Sequence, residues 1–143
     1  MELLRNVLSR RSTRVAALLL ATGSILCTRV PLLNYLGFEF SFVTAVAGGF
    51  VSGLLVLALL RSINPDRLTW NLVGAVTLTP LLLTGIPLVF LLLNAFFVKN
   101  CSMGQGLLFF ALLVPFSVLF SAALAGLTWA LLRRWRKTWF TLL

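Results

Sequence analysis

The side chains that commonly carry chemistry are few in this chain: the thiols of Cys27 and Cys101, the carboxylates of Glu2, Glu39 and Asp66, and the amines of Lys99 and Lys137. There is no histidine. That removes imidazole-ligated haem, the usual zinc sites and every Ser-His or Cys-His nucleophile arrangement. The three acids are far apart in sequence and lie outside the apolar stretches, so a paired-carboxylate mechanism is not expected. Two thiols without a further soft ligand do not make a metal centre. No catalytic residue, no metal site and no cofactor is therefore expected. An enzyme acting on lipids would have only Glu39, Lys99 and Cys101 to work with.

What remains for Cys27 and Cys101 is each other. Cys27 falls near the end of the first apolar run, and Cys101 just after the third. A disulfide between them in an oxidising compartment is one expectation. Two unlinked thiols is the preferred one, because Cys27 lies too deep in the membrane to meet a loop residue readily and bridging demands close geometry.

The elements that must carry these residues are unusually apolar. Hydrophobic residues make up 60% of the 143 positions and charged residues 10%, with a mean hydropathy of +1.06. A water-soluble domain of this size could not hide so much apolar surface. Four long runs dominate, and each meets or approaches the ~20 residues needed to cross a ~30 Å hydrocarbon core. We expect one transmembrane domain over residues 1–143, an all-α bundle of four membrane-spanning helices over about 15–30, 42–60, 68–98 and 107–132. The first is read as an uncleaved helix, since Thr13 and Arg14 interrupt a signal-like pattern and Leu26 is too large for a lipoprotein cleavage site.

Local signals refine the boundaries. Ser41 suits an N-cap for the second helix, and Asn64-Pro65-Asp66 suits the start of the third. A third helix running from there to Phe97 would exceed the membrane thickness. Pro80 and Pro87 mark where it would break. Thr77, Thr79 and Thr84 flank Pro80 and are placed to satisfy carbonyls that a proline frees.

Charge sets the orientation. With the N-terminus inside, Arg5, Arg10, Arg11, Arg14, Arg61, Arg67, Arg133, Arg134, Arg136 and Lys137 share the inner side, against Arg29 and Lys99 outside. Such a bias predicts both termini in the cytoplasm. The net charge of +9 then points to anionic lipid headgroups, with Arg133, Arg134, Arg136 and Lys137 as the anchor. Nucleic acid is not expected as a partner. The location this implies is a cytoplasmic membrane of bacterial type, crossed several times. Phe38 and Phe40, with Tyr35, Phe96 and Phe97, would form the outer aromatic girdle.

Two constellations invite binding. Ala45, Gly49 and Gly53 recur at four-residue spacing, as do Ser117, Ser121 and Ala125. Such small-residue tracks let helices approach closely, either within the chain or against another subunit or a second copy. Asn34, Glu39, Lys99 and Asn100 collect on the outer connectors as a polar cluster, where Glu39 would pair with Arg29 or Lys99. Apart from Arg29 at the edge of the first, no Asp, Glu, Lys or Arg lies within the runs, which argues against ion-coupled pumping by one copy. The function expected is a non-catalytic membrane subunit or accessory protein. The alternative is a small oligomeric channel or transporter component lined by the Pro80–Pro87 region, with Thr77, Thr84 and Asn94 on the path.

Overall fold

Buried positions on the longest described interior helix recur as Phe40, Ser41, Thr44, Ala45, Gly48, Gly49, Ser52, Leu55, Val56, Leu59 and Leu60. This is the three-and-four spacing of one helical face. The computed structural model describes residues 7–30, 33, 37–61, 70–94 and 103–141. It is all-α: α1 (Arg11–Cys27), α2 (Phe38–Arg61), α3 (Trp70–Leu83), α4 (Gly85–Asn94) and α5 (Met103–Thr141). Because α3 and α4 form one rod interrupted at Thr84, the architecture is four helices.

Three of these are long and apolar enough to cross a membrane: Phe38–Arg61, Asn71–Asn94 and Met103–Arg133. The expectation of four spans is corrected here. The first helix has 17 residues, about 26 Å at 1.5 Å per residue, and its first turn holds Arg11 and Arg14. It packs on the spans through a single stripe of Thr13, Ala16, Leu20 and Ser24. Its start precedes the expected Val15 because Thr13 Oγ1 donates to Val7 O at 2.8 Å, tying the preceding turn to the helix.

Several boundaries differ for identifiable reasons. Ser41 does not cap α2; it lies inside the helix, its N–H and hydroxyl both bonded to Gly37 O. The chain turns helical earlier because Glu39 occupies the first turn, where a carboxylate complements the helix dipole. The α3–α4 rod breaks at Thr84, between the two prolines. Pro87 has no N–H for Leu83 O and its ring crowds that carbonyl, so the helix yields one turn before it. The last helix does not stop near Leu132 but continues through the basic cluster to Thr141, 39 residues in all. That is about 58 Å, far longer than the hydrocarbon core.

The core has two layers. One holds Ala16 and Leu20, Leu55 to Leu60, Ala75 and Val76, and Ala122 and Ala125, with Trp129 against them. The other holds Phe40 and Ala45, Leu91, and Phe110 to Val118, with Cys27 against them. With the α3–α4 rod counted as one, each helix thus runs antiparallel to the one before it. Arg10, Arg11 and Arg14 consequently share an end of the molecule with Arg61 and Arg133, while Arg29 lies at the other.

Candidate functional site

The tightest feature is the seam between α2 and α5. A methyl group added to Gly49 would stand 2.7 Å from Ser117 Oγ and 3.0 Å from Ser121 Oγ. At Gly53 it would stand 3.8 Å from Ser121 O. Two interhelical hydrogen bonds cross the seam: Ser117 Oγ donates to Ala45 O at 2.8 Å and Ser52 Oγ to Val118 O at 3.2 Å. Ala125 is buried one turn beyond. The structure therefore sets Ala45, Gly49 and Gly53 against Ser117 and Ser121 within one chain. Bonds of this kind contribute about 0.6 kcal/mol on average in membranes. Close backbone contact adds dispersion that lipid tails do not match.

Toward the Arg29 end the seam closes with aromatic pairs. Phe40 stacks on Phe110 at 6.4 Å, and Phe38 meets Phe109 edge-on at 5.6 Å. Phe40 is 1% exposed, so it belongs to the core rather than to an outer girdle. Offset and edge-on geometries are those the ring quadrupole favours.

A second feature is an apolar groove of about 160 Å³ between α1, α2 and α4. Leu20, Gly23 and Cys27 line it from α1, Thr44 and Ala47 from α2, and Pro87 from α4. Among the described residues nothing lies within 4 Å of a methyl added at Gly23. Burial pushes the Cys27 thiol up from its ordinary value, because the thiolate would lose hydration. Among the described residues Cys27 pairs with no other thiol; Cys101 lies outside them.

Of the outer polar cluster, only Glu39 is described; Asn34, Lys99 and Asn100 are outside the described residues. Among the described residues no ion pair joins Glu39 to Arg29. At the basic end, Arg133 sits 5.6 Å over the Trp129 ring, a cation–π contact worth about 0.5–1 kcal/mol. Arg134, Arg136 and Lys137 continue along α5, their side chains outside the described residues.

The threonines near Pro80 bond elsewhere than expected. Thr77 donates to Val73 O and Gly74 O, Thr79 to Ala75 O, and Thr84 to Leu81 O. None of these acceptors is Val76 O or Leu83 O, the carbonyls that Pro80 and Pro87 leave without an N–H. Among the described residues no group of three His, Cys, Asp or Glu side chains could hold a metal ion.

The chain matches no protein family, no curated protein and no solved structure. What it is follows from its own physics. It is a small multi-pass membrane protein.

Thr44 escapes sequence reasoning, although it is 6% exposed. Its only sequence signal is a lone hydroxyl one turn beyond Phe40 on the buried face of α2.

Proposed function

We propose that the protein is a non-catalytic subunit or accessory component that packs against the helices of other membrane proteins. The observation that carries this reading is the outer face of α5. Only 22% of its most apolar window is buried, and Leu112, Phe116 and Phe120 are 64%, 72% and 57% exposed. Phe116 and Phe120 stack in parallel at 6.3 Å, presenting a flat aromatic ridge. The glycine–serine seam is spent inside the chain, so docking falls to this ridge.

In this reading the arginine-rich end faces the cytoplasm, as the positive-inside bias requires. The start of α1 and the tail of α5 both lie there, and Arg133 with the residues after it contacts anionic headgroups. The membrane is then a bacterial cytoplasmic one. A channel built from several copies gains no support from the Pro80 region, where the three threonine hydroxyls are bonded to their own helix.

A photo-crosslinking side chain at Phe116, in membranes of the native host, tests the docking. The expected result is one discrete partner band, not formed from the buried position Val118. A chain that stays monomeric and unlinked from Phe116 would remove the idea.

A further inference from the structure

We propose that the groove between α1, α2 and α4 seats one phosphatidylethanolamine molecule, with an acyl chain along the groove, an ester carbonyl on Thr44 and the headgroup at Arg29 and Glu39. This does not rest on the docking reading; it needs only the membrane location.

The groove is suited to hydrocarbon. Its volume of about 160 Å³ is comparable to apolar cavities that admit benzene, and Gly23 leaves its α1 wall open. Two hydroxyl side chains line it, those of Ser24 and Thr44. Seven hydroxyl side chains are buried among the described residues. Six of them, on Thr13, Ser24, Ser41, Ser52, Thr79 and Thr84, donate to a carbonyl. Thr44 is the seventh, and among the described residues its hydroxyl meets no partner. A buried donor without an acceptor is costly, and an acyl ester supplies the acceptor wanted there.

Depth and charge agree with a phospholipid. Thr44 lies five residues along α2 from Glu39, about 7.5 Å, which sets the ester one step below the headgroup. Arg29 follows Cys27 by two residues, and Glu39 precedes Phe40; Cys27 and Phe40 both line the groove. One cation and one carboxylate, Arg29 and Glu39, therefore lie close in sequence to that end of the groove, and among the described residues no ion pair joins them. A phosphate matches the first and an ethanolamine ammonium the second.

The test uses the full chain in phosphatidylethanolamine–phosphatidylglycerol vesicles containing a trace of phosphatidylethanolamine with a photoactivatable acyl chain. Adducts should concentrate on residues 19–27 and 40–51, several-fold above those on the exposed face of α5. Thr44→Val should lower groove labelling roughly three- to tenfold, the scale of one lost hydrogen bond, and Thr44→Ser should retain it. Gly23→Leu fills the groove where nothing is displaced, and should abolish groove labelling with α5 labelling unchanged. Even labelling of groove and α5, unchanged labelling in both Thr44→Val and Gly23→Leu, or protein–protein adducts in place of lipid adducts would each overturn the proposal. None of these outcomes depends on whether a partner protein binds at Phe116.

Discussion

Gly49 is where one atom decides the packing. Gly49→Ala should cost about 1–3 kcal/mol, the usual penalty of overfilling a packed contact, measured as reversible unfolding in mild detergent. Ser117→Ala removes an interhelical hydrogen bond and should cost about 0.6 kcal/mol. It also removes the Oγ that the new methyl would strike, so Gly49→Ala should cost less in the Ser117→Ala background. Additive losses would mean that the two residues do not meet. Cys27 offers a pH readout, best taken in a Cys101→Ser background. Its raised pKa keeps the thiol protonated at neutral pH, so maleimide should react slowly there, faster as pH rises and fast at once in denaturing detergent. Equal rates in the folded and denatured chain would contradict the burial. At this scale the sequence is half legible. Four-residue spacing of Ala, Gly and Ser announces a close approach, but spacing alone does not distinguish a partner within the chain from one outside it. Thr44 is illegible because whether a hydroxyl finds a carbonyl depends on a rotamer and its neighbours.

The helices were legible as runs of apolar residues, and their ends much less so. Length counts treat α1 as a fourth span, yet its run is shortened by Thr28 and Pro31 and begins among arginines. Arginine is a good helix former, so the basic residues after Leu132 extend α5 instead of stopping it. The interruption at Thr84 arises from Pro87 acting backwards on Leu83, a rule the sequence states only once the register is known. Pro87→Ala restores the missing N–H and should fuse α3 and α4 into one helix. Spin labels at Asn71 and Leu93 would then move apart by a few Å, the distance a straightened rod recovers. An unchanged separation would assign the break to the surrounding packing.

For the molecule as a whole, charge is the most informative sequence property, because the bases cluster where the fold brings helix ends together. The arginine-rich end collects α1, the end of α2 and the far part of α5. Three spans alone would set the termini apart, but α1 lies alongside them from one core layer to the other, so fusions of green fluorescent protein and of alkaline phosphatase to either terminus should report the same compartment, fluorescent and without phosphatase activity. Opposite results at the two termini would refute the orientation. The unbroken length of α5 has one more implication. It is held to the core as far as Trp129, and about 12 further residues, roughly 18 Å, extend to Thr141 without a hinge. Such a rod is a lever: rocking it by about 10° at the last contact sweeps its cationic tip by about 3 Å, so a slight rearrangement in the bilayer becomes a displacement at the water boundary.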